Sequence, residues 1–315
     1  MKIHPIILLL GIGICTSAFA QKTGKTYKTD RYSSIYLPLG KISFADSIYS
    51  FSMGNPMPLE KFRNPIQSLH EPNYENYHTP NFLSIGCKGV LELAFTDNGF
   101  MNLPGNDLYI FEVGPSKESA KIEISTNGTD WTYAGTISGG KSILDLEDEN
   151  IPTDVIYSFL RITDMEDLCR SKTAGADIDA VAAINSVIKL TINADVIFDV
   201  SEYKLKSSAN KTLDSLASLI KKVDKATIVA EGHTDSDGSD RSNMKLSENR
   251  CLSVIDRLRA ILGYEALYDY EVKAYGETKP KVVNDSKENK QINRRVEILV
   301  MPPNDYYKYI PKKKD

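Results

Sequence analysis

Apolar and polar positions alternate with a period of two through most of the first half of the chain, and give way to a 3.6-residue period in the second. Val90–Thr96 places Leu91, Leu93 and Phe95 on one side, as a half-buried strand requires. Leu108–Val113, Ile156–Ile162 and Ile178–Ile184 are further short apolar runs bounded by Gly, Asn and Asp. Lys121–Ser125 and Trp131–Ala134 flank Thr126-Asn127-Gly128-Thr129, a turn sequence that closes a hairpin. Residues 22–186 therefore predict an antiparallel β-sandwich.

From residue 187 the order changes to strand, helix, strand, helix, strand, strand. Val187–Phe198 alternates and is β-branched, giving the first strand. Leu213, Leu216, Ala217 and Ile220 share one helix face. Ala226–Gly232 is a near-continuous apolar run, the mark of a buried strand. A second helix carries Leu246, Cys251, Val254, Ile255, Leu258 and Leu262 on its inner stripe and stops at Gly263. Tyr270–Tyr275 and Arg295–Val300 complete a sheet with helices on one face. The fold class expected is α+β with two domains, 22–186 and 187–302, and a solvated tail over 303–315, where the lysine run Lys312–Lys314 lies.

Composition narrows the functions. The 315 residues are 25% charged with a net charge of −4, which lacks the concentrated basic face that nucleic acid demands. Lys2 and His4, the apolar stretch Ile6–Ile14 and Ala18-Phe19-Ala20 form a signal peptide over 1–20, too short to be a spanning helix. Cys15 follows Ile14, where acylation needs a small residue, so lipidation is not expected. No other segment has spanning length. Export brings an oxidising compartment, and Cys87, Cys169 and Cys251 are an odd number. Cys251 sits on an inward helix face. Whether Cys87 bridges Cys169 depends on a Cα separation that sequence does not supply.

The densest chemistry lies in residues 232–250, GHTDSDGSDRSNMKLSENR. Thr234 and Asp235 end a strand, Gly238 permits a tight reversal, and Asn243, Ser247 and Arg250 follow at helical spacing on one face. An anion at the strand mouth and a cation on the adjoining helix suit a small zwitterion, the carboxylate taking an ammonium and the guanidinium a carboxylate. Asp235 to Asp240 is no calcium loop of the EF-hand type, because its twelfth position is Leu246 and not a bidentate acid.

Gly232-His233-Thr234-Asp235, Asn243, Leu246-Ser247 and Arg250 resemble the signature of OmpA-like peptidoglycan-binding domains. Phe198-Asp199 matches that family's start; Tyr275-Gly276-Glu277, Pro280 and Asn293-Arg294-Arg295-Val296-Glu297 match its end. The resemblance spans roughly 188–300. It implies that Asp235 and Arg250 hold the diaminopimelate of a wall stem peptide, helped by Asn243, Thr234, Ser247, Phe198 and Arg294. Cys251 departs from the small apolar residue usual there. More loosely, Phe95-Thr96-Asp97-Asn98, Pro104–Leu108, Phe111–Gly114 and Gly175–Val181 resemble bacterial cell-surface jelly rolls akin to galactose-binding domains. That resemblance makes Asp97, Asn98, Asn106, Asp107, Asp177 and Asp179 candidate ligands of a structural calcium, although loop Asp and Asn also serve turns. Trp131 is either a sugar platform or a buried sandwich tryptophan.

The expected function is a non-enzymatic envelope protein, periplasmic or peripheral to the outer membrane, that binds peptidoglycan and displays the sandwich to a glycan or an envelope protein. No HExxH, Gly-x-Ser-x-Gly or Cys–His arrangement supports catalysis. The alternative makes 22–186 a small outer-membrane barrel, which would need strands of about ten residues.

Overall fold

A computed structural model describes residues 24–29, 32–114, 118–139, 142–166, 169–263 and 267–308. The signal peptide, Cys15 and the lysine run lie outside the described residues.

The N-terminal domain stacks a five-stranded sheet on a four-stranded one. The first contains β3 (Ser47–Ser52), β5 (Val90–Ala94), β11 (Phe159–Asp164), β8 (Ser119–Ser125) and β9 (Thr132–Ser138), in that spatial order. The second contains β10 (Ser142–Leu144), β7 (Leu108–Glu112), β12 (Asp177–Ala183) and β4 (Leu83–Ser84). Leu91, Leu93, Ile122, Ile124, Leu160 and Ile162 from one sheet meet Leu108, Ile110, Ile178 and Val181 from the other in a single buried cluster. At roughly 2 kcal/mol for each large side chain withdrawn from water, this face-to-face core is the main source of the domain's stability. The back of the second sheet is covered too. A ribbon of β1 (Lys25–Lys28) and β2 (Ser34–Leu37) lays Tyr27 and Leu37 over Tyr109, Phe111, Ala180 and Ala182. Burial on both faces leaves every residue of β12 buried, Asp177 and Asp179 included. The barrel alternative is wrong. These are open sheets packed on a dry apolar interior, whereas a membrane barrel turns its apolar positions outward.

The C-terminal sheet runs β15 (Tyr268–Gly276), β14 (Ala226–His233), β16 (Arg295–Met301), β13 (Ser186–Asn193), then β6 (Gly99–Phe100) from the first domain. β14 and β15 are parallel, and the β14–β16 and β16–β13 pairs antiparallel. Helices α2 (Ala209–Ile220) and α3 (Asp240–Leu262) cover one face, burying Leu213, Ala217, Val254, Ile255 and Leu258 against Ile228, Ala230, Val296 and Ile298. The opposite face meets the first domain, with Met101 packed on Val187, Val229 and Leu299.

Two boundaries differ from expectation. The first strand was read as reaching Phe198 but stops at Asn193, whose side chain caps the short helix α1 (Ala194–Ile197) by accepting from Asp195 N–H at 2.9 Å. Another helix, α4 (Lys287–Asn293), has too polar a sequence for periodicity to reveal. The segment expected as tail opens instead with helix α5 (Asn304–Tyr307). Tyr307 Oη is 3.1 Å from Asn185 Oδ1, and Asn304 donates to Thr227 Oγ1 and Glu271, so this turn touches both domains.

Candidate ligand-binding site

A cleft of about 400 Å³ opens where β14 ends, lined by Thr234, Asp235, Asn243, Leu246, Arg250 and Arg294 among others. Five of the expected site residues therefore share one cavity. Gly238, at φ 105°, turns the chain at its rim, where a Cβ would sit 3.2 Å from Ser242 Oγ. Ser239 then starts α3 with a reciprocal capping pair to Ser242, four residues earlier than Asn243.

Arg250 projects from α3 and is only 3% exposed. Its Nε donates to the carbonyl of Glu202 at 2.9 Å and its Nη2 to that of Asp199 at 3.4 Å. The guanidinium lies 5.2 Å from the Phe198 ring centroid. Among the described residues Nη1 is buried without a partner and no carboxylate is in contact with the group, although the charges of Asp195 and Asp235 reach it. Burial, the largest influence, pulls its pKa below the usual arginine value. An arginine so placed remains charged, and a buried cation without a counter-charge is costly. The hydroxyl of Thr234 is likewise buried and unpartnered.

Asp235 lies opposite and does not pair with Arg250. Its Oδ2 accepts from Arg294 Nη1 at 2.6 Å, and its Oδ1 from the Asp237 N–H at 3.1 Å. Arg294 has a second carboxylate, Asp195, which accepts from Nε at 2.9 Å and from Nη2 at 2.7 Å. Asp195 and then Asp235 hold the Arg294 guanidinium firmly protonated, and Arg294 in turn holds Asp195 below the usual carboxylate range. Lys290 on α4 reaches Asp237 at 2.6 Å, a second ionic clasp across the rim.

Asn243 at the lining, and Ser247 and Phe198 behind it, hold the site in shape. Asn243 donates to the Asp235 carbonyl at 3.2 Å and to Glu277 at 2.6 Å, fixing the turn. Ser247 accepts the Gly276 N–H at 3.0 Å and donates to Met244, which ties α3 to the end of β15. Phe198 is buried beneath Arg250, and its strand-like bridge to Leu205 shapes the wall that offers the two carbonyls. Asn293 staples the loop before α4 through Lys281, Val282 and Asn284. Sequence reasoning missed Asp195; its one signal was an acid two residues after the capping Asn193.

The proposed calcium ligands do not converge. Asp107 accepts from Leu103 and Leu146 N–H and from Asn185; Asp179 accepts from Asn73 and Tyr74 N–H; Asp177 accepts from the Ser84 hydroxyl. Asn98 donates to Ser186, Asp97 interacts with Asp46, and Asn106 is exposed. These groups are used for loop closure, and among the described residues no three of the four carboxylates come within ligating range of one another. Glu231, His233 and Glu297 do come together, but Lys189 and Arg295 already occupy Glu297 at 2.7 and 2.8 Å, a setting hostile to a further cation. Cys87 and Cys169 are bridged, with Cα atoms 5.4 Å apart, and Cys251 is a buried free thiol whose pKa burial pushes up to about 12. Trp131 is half-buried on the outer face of the five-stranded sheet, 4.0 Å beneath the Arg161 guanidinium, and not in the core.

Residues 197–294 match the OmpA family and form a domain of that family. The chain is 36% identical over 141 residues to outer membrane porin F of Pseudomonas aeruginosa, covering 44% of this chain and 39% of the porin. It is 36% identical over 115 residues to outer membrane protein A of Bordetella avium, covering 36% of this chain and 57% of that protein. The chain thus spans well under two thirds of either relative. Among solved structures, the cell wall anchor of the T6SS from Pseudomonas aeruginosa is 31% identical, with a TM-score of 0.33 over 38% of this chain and 85% of that one. No helix among the described residues is long and apolar enough to cross a membrane.

Proposed function

We propose that this chain is a non-enzymatic, exported envelope protein whose OmpA-family domain grips peptidoglycan through the diaminopimelate of the stem peptide. The observation that carries the reading is Arg250: a buried guanidinium with an unused N–H beside a cleft, and no anion of its own. A ligand carboxylate supplies the missing charge and hydrogen bond, and Asp235 on the facing wall receives the ligand ammonium. Thr234 Oγ1 adds a free hydroxyl. In this reading the β-sandwich is the displayed module, and its partner is a glycan or another envelope protein.

Co-sedimentation with purified murein sacculi tests the reading. Wild-type chain pellets with sacculi, whereas Arg250→Ala and Asp235→Ala stay in the supernatant, because a single charge left in the pocket costs roughly 2–5 kcal/mol of binding. Full pelleting of both variants would overturn it.

A further inference from the structure

The cleft has a counter-ion outside its lining. We infer that Asp195 is a positioning residue, which orients Arg294 so that Asp235 can exchange it for a ligand ammonium; this rests on the diaminopimelate reading above. Arg294 turns one edge of its guanidinium, Nε and Nη2, onto the two oxygens of Asp195, a side-on bidentate pair. That leaves Nη1 as the donor facing Asp235 at 2.6 Å. Arg294 is therefore shared between two carboxylates, and an arriving ammonium has to displace a single donor.

Asp195 makes that exchange workable. When the ammonium takes Asp235, Arg294 keeps its bidentate partner and stays at the rim, with Nη1 free for a ligand carboxylate. Without Asp195, the guanidinium is released to give Asp235 its whole edge, and Asp235 becomes a closed ion pair. The cleft would also hold two cations, Arg250 and Arg294, against one anion, which repels an ammonium and attracts a carboxylate. The Asp195 side chain is 30% exposed, and its backbone N–H is capped by Asn193, so the carboxylate has little part in holding α1. Lys206 donates to its carbonyl at 3.0 Å and pairs with Asp199 at 3.2 Å, and its charge, with that of Arg250, adds to the larger pull of Arg294 on the Asp195 carboxylate.

Calorimetric titration of the purified chain with meso-diaminopimelate, and with pimelate, which has the same two carboxylates and no ammonium, tests the inference. Asp195→Asn should weaken diaminopimelate by about tenfold and leave pimelate unchanged or tighter. Asp195→Glu should restore part of the loss. In an Arg294→Gln background, Asp195→Asn should change diaminopimelate binding by less than about twofold, since a residue acting through another has no effect once that one is gone. Equal loss with and without Arg294, or parallel loss of both ligands, would show a merely structural role and overturn the inference. Wild-type chain that binds diaminopimelate alongside an unaffected Asp195→Asn overturns it alone. Wild-type chain that binds neither ligand overturns the reading of the cleft as well.

Discussion

The two domains bury carboxylates in opposite company. In the sandwich, Asp107, Asp177 and Asp179 face backbone N–H groups, a side-chain amide and hydroxyls, with no cation in contact among the described residues. Burial pushes Asp107 and Asp177 up to about 7 and Asp179 to about 6. In the OmpA-family domain, Asp195 and Asp235 share Arg294, and Glu297 lies between Lys189 and Arg295. Arg294 lowers Asp195; Lys189 and Arg295 outweigh burial to lower Glu297. A carboxylate saturated by neutral donors of its own fold has a structural task and little to offer a ligand. An ion pair open to a cleft can change partners. The contrast supports the proposal that ligand chemistry belongs to the second domain, although the first is richer in buried acids.

The disulfide gives the largest expected break between the halves. Cys87 and Cys169 are 82 residues apart and both belong to the sandwich. In the chain-entropy view, closing a loop of that length stabilises by about 4 kcal/mol. Replacing both by Ser should lower the denaturant midpoint followed by fluorescence of Trp131, the sole tryptophan. Labelling of buried Cys251 reports the other domain and should keep its midpoint. A joint fall of both signals would show that the β6–β13 pairing fuses them into one cooperative unit. Gly232→Ala is the converse probe. An added Cβ would lie 2.5 Å from the Ser247 carbonyl oxygen and 2.7 Å from Cys251 Sγ, so α3 must lift off β14. A loss of roughly 2–3 kcal/mol should appear in thiol labelling first, with weaker binding to sacculi because Arg250 rides on the same helix.

How much of this was legible depended on whether a feature is periodic. The long helix α3, the buried strand β14, the hairpin around Asn127-Gly128 and the sandwich strands follow from spacing alone. Burial of β14 was visible as a near-continuous apolar run, though what covers it was not. Residues bound for the cleft were recognisable from their order, yet their pairing was not: Asp235 takes Arg294, 59 residues away, and Arg250 takes carbonyls. Asp195 and α4 lie in polar stretches where no period exists, and only tertiary contact gives them meaning. The sandwich acids show that composition does not disclose use: Asp107 and Asp179 accept loop N–H groups that their spacing in the chain did not announce.

Acidification should pull the two domains apart in sign. Asp107, Asp177 and Glu112 have folded-state pKa values near 7, above the ordinary 4 or so of an unfolded chain. Between about pH 4 and 7 the folded sandwich thus binds more protons than the unfolded one, so its stability rises as pH falls through that window. His233 behaves oppositely: burial, helped by Arg295, pushes its imidazole down to about 4, from an ordinary value near 6.5. Here the unfolded chain binds the extra proton, and stability is lost as pH falls from about 6.5 to 4; the lowered Asp195 and Glu297 add a further loss below that, and Glu231, raised by burial, offsets part of it. Each group contributes at most about 1.4 kcal/mol per pH unit within its window. Denaturant midpoints by Trp131 fluorescence at pH 7.5 and 5 should therefore rise on acidification, while those by Cys251 labelling, quenched at fixed pH, should fall. Where the disulfide replacement has shown that the two signals move separately, midpoints moving in the same direction with pH would mean that the charges of the two domains are not buried in the opposite ways described.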